Sequence, residues 1–125
     1  MATTHVTAVR NSIAGVVSSA VDAGVGAGKM VFMTSGDVEV ATLTMSDPAF
    51  GAASSGVITA NAITRDESAT GGTVALFKLT DSADTEVLRG SVTATGGGGD
   101  IELTSVTITA GEPVEVSSYT YTAPV

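Results

Sequence analysis

Apolar residues recur at helical spacing near the start of the chain and at every second position further on, and the change of period divides the sequence. Val6, Val9, Ile13, Val16, Val17, Ala20 and Val21 follow the i, i+3, i+4, i+7 rhythm, with Arg10, Asn11, Ser18 and Asp22 on the other side. This spacing predicts one short N-terminal amphipathic helix. Thr3 or Thr4 can cap its start, and Gly24 suits the left-handed residue that ends it. Valine is a mediocre helix former, so the segment needs a surface to lie on. The glycines at 24, 26 and 28 read as a flexible hinge, which favours docking of the helix on another subunit. Val6, Val9, Ile13, Val16, Val17 and Val21 are therefore the candidate interface residues.

From Lys29 onward the period is two, and Thr, Val and Ile dominate. Strands are expected at about 29–35, 38–46, 56–64, 73–80, 86–95, 100–109 and 113–122. Turn residues separate them: Ser35-Gly36-Asp37, Asp47-Pro48, Thr70-Gly71-Gly72, Asp81-Ser82-Ala83-Asp84, the glycine run 96–99 and Gly111. The fold class that follows is mainly β: an antiparallel β-sandwich or flattened barrel of about seven strands with one helix. Residues 1–28 form an arm, helix and glycine-rich hinge, and residues 29–125 form the sandwich domain.

Alternation slips phase where Val38 and Val40 give way to Ala41, Leu43 and Met45, where Ile101 and Leu103 give way to Val106 and Ile108, and between Val116 and Tyr119. Each slip would turn core side chains outward, so a bulge or bend is expected at each, most clearly at Ser117-Ser118. The expected core comprises Leu43, Met45, Ala75, Phe77, Leu79, Leu88, Val92, Ile101, Leu103, Val106, Ile108, Val114 and Val116.

Composition narrows the function. Only 14% of the 125 residues are charged, against about 25% in ordinary soluble domains. A weakly charged, aliphatic surface is best accommodated by burial between subunits or in a larger assembly. The net charge of −8, without any Lys or Arg cluster, makes nucleic acid a poor partner. There are no cysteines, hence no disulfide framework. The apolar run 13–25 is interrupted by Gly15, Ser18, Ser19, Asp22 and Gly24, which argues against a membrane span, and only Arg10 precedes it as a side-chain cation, which argues against a cleavable secretion signal.

Catalytic chemistry has few footholds. His5 is the single histidine and sits in the N-terminal arm. No thiol exists, and no serine lies in a Gly-x-Ser-x-Gly elbow. Asp81, Asp84 and Glu86 could offer oxygen ligands from one loop, but acidic residues in turns ordinarily satisfy their own backbone. The 96–99 run lacks the Lys-Ser/Thr ending of a phosphate loop and reads as a flexible turn. The chain is expected not to be an enzyme and to need no cofactor or metal.

The segment Val40-Ala41-Thr42-Leu43-Thr44-Met45-Ser46-Asp47-Pro48-Ala49-Phe50-Gly51-Ala52-Ala53, with Gly56-Val57-Ile58-Thr59-Ala60-Asn61-Ala62-Ile63 after it, resembles small structural proteins of tailed bacteriophages and prophages. The Asp-Ala-Gly-x-Gly-x-Gly stretch 22–28 and the Val-x-Val-Ser-Ser-x-Thr-x-Thr stretch 114–122 add to the likeness. The resemblance implies a virion component made in the host cytoplasm, foremost a capsid decoration or cement protein on the capsid surface. Its implied partners are the major capsid protein and further copies of itself, with a trimer favoured. A tail or head–tail connector protein is the alternative within that class. Outside it stands a carbohydrate-binding β-sandwich, for which Tyr119 and Tyr121 are the only aromatics placed for sugar stacking.

Overall fold

The computed structural model describes residues 3–124. One helix, α1 (Thr7–Val21), precedes β1 (Lys29–Met33), β2 (Glu39–Thr44), β3 (Val57–Thr59), β4 (Gly72–Thr73), β5 (Leu76–Thr80), β6 (Glu86–Ala94), β7 (Ile101–Leu103), β8 (Thr107–Ile108) and β9 (Thr120–Thr122). Five strands form a mixed, curled sheet in the order β2-β1-β5-β6-β7, while β3-β9 and β4-β8 are separate pairs. The chain is mainly β with one helix, but seven long strands in an antiparallel sandwich do not form. The expected strand 100–109 breaks into β7 and β8. The stretch 113–122 bridges Asp66 at Val114 and next makes a backbone hydrogen bond at Tyr119, whose carbonyl accepts the Ala60 N–H at 2.8 Å beside β9.

Alternation gives the sheet its buried face. Met30 stands opposite Leu43 and Leu79, Phe32 opposite Ala41 and Phe77, and Val92 opposite Ile101. All of these are buried. Helix α1 and an irregular layer carrying Met45, Ala49, Phe50, Ile58, Tyr119 and Ala123 close over them in one cluster. Leu43, Met45, Phe77, Leu79, Val92, Ile101 and Val114 are core residues as expected, whereas Leu88, Leu103, Val106, Ile108 and Val116 pack half-buried at its margin. Ala75 is also half-buried.

Two phase slips coincide with irregularities. Phe32 pairs with Ala41 and Met33 with Glu39, so Val40 is the extra residue of a bulge in β2. The backbone bends at Ser117. Between Leu103 and Thr107 the chain leaves one sheet for another pair, which accounts for the remaining slip. A further register shift at Leu79/Thr80, opposite Val87, has no counterpart in the alternation.

The glycine run forms the turn between β6 and β7, held by its own hydrogen bonds. β6 and β7 are parallel, with Val92 beside Ile101, and parallel neighbours ordinarily need a crossover of a dozen or more residues. Here residues 95–100 double back instead. Gly96 and Gly98 adopt φ of 90° and 81°. A Cβ on Gly97 would lie 2.7 Å from the Thr93 side chain, and one on Gly99 would lie 3.0 Å from it. Glu102 Oε1 accepts the Gly96 N–H at 3.2 Å, Glu102 Oε2 accepts the Gly98 N–H at 3.1 Å, and Thr93 Oγ1 accepts that of Gly99 at 3.0 Å.

Helix α1 differs from its expected form in three ways. Val6, not Thr3 or Thr4, occupies the N-cap position, and no side chain caps it. Its inward face runs through Arg10, Ala14, Val17 and Val21, so Arg10 takes the place expected for Val9. Asn11 Oδ1 accepts the Gly56 N–H at 2.7 Å, and the Arg10 guanidinium donates to the Ala123 carbonyl at 3.3 Å. Gly56 adopts φ of 76°, and a Cβ there would stand 2.8–2.9 Å from Arg10. The third difference is the hinge. Gly28 is buried, and a Cβ on it would lie 2.5 Å from Val21 Cγ1 and 2.6 Å from the Thr80 carbonyl. Its own carbonyl accepts the Met45 N–H at 2.9 Å. The helix is thus fastened to its own domain, and the glycine at 28 serves close approach rather than hinge motion.

Gly15 sits on the outer side of α1, where a Cβ would meet nothing within 4 Å, and its φ is not positive. Gly15→Ala should stabilise the protein by about 0.5–1 kcal/mol, because alanine loses less backbone entropy in a helix. Chemical denaturation would show a raised midpoint with unchanged slope; a lowered midpoint would contradict the assignment of this face to solvent. No helix among the described residues is long and apolar enough to cross a membrane.

Candidate interaction surface

The six candidate residues divide between two faces of α1. Val21 is fully buried, and Ile13 and Val17 pack half-buried against the core. Val6, Val9 and Val16 remain 67%, 43% and 69% exposed. The split follows from the 3.6-residue period, because the helix turns the line through Ala14, Val17 and Val21 toward the sheet. Ala14, small enough for close approach, marked that line in the sequence, but the larger valines on the neighbouring line outweighed it. Past the helix, Val25 is fully exposed. The outer valines leave exposed apolar side chains along one face of α1, and Val25 after the helix and Val38 before β2 are the other large hydrophobics exposed among the described residues.

The acidic turns are occupied by their own surroundings. Asp81 Oδ1 accepts the N–H groups of Ala83 and Thr85 at 2.9 Å each. Asp84 meets Lys29 at 2.7 Å, and Glu86 meets Arg89 at 2.8 Å. Hydrogen bonds from Lys29 and Arg89 hold the Asp84 and Glu86 carboxyls below the ordinary carboxylate range. Asp66 Oδ2 accepts the Thr42 N–H at 2.9 Å, Asp66 Oδ1 accepts the Ser68 N–H at 3.0 Å, and Glu67 meets Arg65 at 3.0 Å. Among the described residues no group of three or more acids and histidines stands together as a metal site. His5 is exposed ahead of α1.

The two tyrosines behave differently from a sugar platform. Tyr119 is buried, edge-on to Phe77 with ring centroids 5.4 Å apart, and 6.2 Å from Phe50. Tyr121 is half-buried in β9. Burial, aided by the charge of Asp100, pushes the Tyr119 phenol up to about 12. The folded state therefore holds this proton after the unfolded chain, titrating near 10, has lost it. Stability should be intact below about pH 10 and decline as pH rises toward about 12. Tyr119→Phe should flatten that decline in denaturant titrations; an unchanged alkaline slope would place the effect elsewhere.

Comparison with family models, with curated proteins and with solved structures gives no match.

Proposed function

We propose that this protein is a structural component of a tailed-phage virion, a capsid decoration or cement protein that joins neighbouring major capsid subunits and associates with its own copies. The observation that carries this reading is the exposed strip of Val6, Val9 and Val16 on a helix fixed to a folded domain. A fastened helix presents that strip in one geometry, as a lattice contact requires, and apolar strips on soluble domains mark contacts. The low charged fraction of 14% points the same way. The sequence likeness to phage structural proteins supplies the kind of assembly. Burial of Tyr119 weighs against the carbohydrate-binding alternative, since a stacking platform needs an open ring face.

Antibodies against the protein, applied to particles released from cultures of its source and imaged by electron microscopy, would test the reading. Label over the head supports decoration, and label on the tail supports the connector alternative. Particles without label would refute both. In addition, sedimentation of the isolated protein at micromolar concentration should show species larger than the 12.3 kDa monomer, with a trimer favoured. Sedimentation as monomer alone would remove the homo-oligomeric part of the proposal.

A further inference from the structure

The sheet has two edges, and they are treated differently. Along β2 the edge is covered: Thr44 bridges Thr64, the Val40 carbonyl accepts the Gly71 N–H at 3.2 Å, and Asp66 caps the Thr42 amide. Along β7 it is open. The Leu103 carbonyl accepts the Thr95 N–H at 2.9 Å, so Leu103 turns its peptide groups toward β6. In a parallel ladder successive residues face opposite ways, and Glu102 therefore turns its N–H and C=O outward. Among the described residues no backbone hydrogen bond joins 101–103 to the facing stretch 115–119. Between them runs a groove of about 500 Å³.

We infer that this groove receives an extended segment of a different protein, added as a strand to the β7 edge and carrying Lys or Arg at alternate positions. Charge selects the occupant. Asp100, Glu102 and Glu115 line the groove, and among the described residues no Lys or Arg does. Asp100 and Glu102 accept hydrogen bonds only from neutral donors, Ser91 for the first and the glycine loop for the second. Their negative charge is left for a partner to neutralise. A second copy of this chain fits poorly, because Lys29, Arg65 and Arg89 are held in ion pairs and Arg10 lies against Gly56. Lys78 lies within β5, already paired on both sides. Strand addition uses main-chain hydrogen bonds for affinity and alternate side chains for selection, which matches an open edge beside an acidic rim. The inference concerns a surface separate from the helix strip and stands independently of the virion reading.

The test uses the full chain labelled with nitrogen-15 and a capped synthetic peptide, Thr-Lys-Val-Lys-Val-Lys-Thr. In the free protein the Glu102 amide should exchange with solvent at least about tenfold faster than those of Ile101 and Leu103. The peptide should shift amide resonances within 100–104 and 115–120 and slow Glu102 exchange. Replacing its lysines by glutamates, or N-methylating alternate amides, should each weaken binding by at least about tenfold. Glu115→Lys with Thr104→Lys, both at exposed side chains, should do the same while leaving the protein's unbound spectrum otherwise in place. Undiminished binding of the N-methylated peptide would overturn strand addition by reducing it to charge attraction. Shifts spread over other surfaces, or no binding, would overturn the site. Concentration-dependent shifts at 101–103 without peptide would assign the edge to a second copy and overturn the choice of occupant.

Discussion

Ala14→Asp should abolish the cooperative thermal transition of the domain, whereas Val16→Asp, two residues away, should leave it in place. Ala14 is fully buried in the shared core with no room for a carboxylate, and the one cation on its line of the helix, Arg10, is itself held against Gly56 and the Ala123 carbonyl. An unpaired buried charge costs several kcal/mol, comparable with the whole stability of a domain this size. Val16 is on the outer strip, where a surface substitution typically changes stability by no more than about 0.5 kcal/mol. Self-association and particle binding should be lost in Val16→Asp with the fold retained. Circular dichroism melts beside sedimentation of the two variants decide the matter. A folded Ala14→Asp would mean that the helix does not pack on its own domain, and full association of Val16→Asp would clear the strip of any role.

Phe77→Ala should cost about 3–5 kcal/mol, the range for removing a buried phenylalanine. Phe77 stands opposite Phe32 of β1, and its ring is edge-on to Tyr119 from the covering layer and fills the space left by Gly90 on β6. A Cβ on Gly90 would come within 2.6 Å of the Phe77 ring, so glycine and ring are complementary halves of one contact. Gly90→Ala should therefore be destabilising in the wild-type background and much less so with Phe77→Ala. Urea denaturation of the four members of this cycle measures the coupling. Equal effects of Gly90→Ala in both backgrounds would show that the glycine answers to Asp100 instead, whose carboxylate lies 2.7 Å from the same Cβ position.

What the sequence made legible was local. The helix was readable from its valines, the bulge at Val40 from a slipped alternation, and the long strand β6 from its β-rich run. The central pairings were not, because the residues that decide them act at a distance. Arg10 looked like a solvent-side residue, and only Gly56 and Ala123, far along the chain, make its inward position sensible. Gly28 has the same composition signal as Gly26, yet it alone has the Thr80 carbonyl close against it. The parallel placement of β7 depends on four glycines closing round Thr93 and Glu102, and their sequence reads equally well as a loose turn. For the candidate surface, the type of residue was readable, but which half of the valines faced outward depended on how the helix was rolled.

The contact between Arg10 and the Ala123 carbonyl spans 113 positions of sequence. The helix is therefore synthesised well ahead of the carbonyl that fastens Arg10. Both valine lines, the one destined for the core and the one destined for solvent, are uncovered together while the positions between Arg10 and Ala123 are being added. In that interval the nascent chain presents chaperones with a broader apolar helix than the finished protein shows.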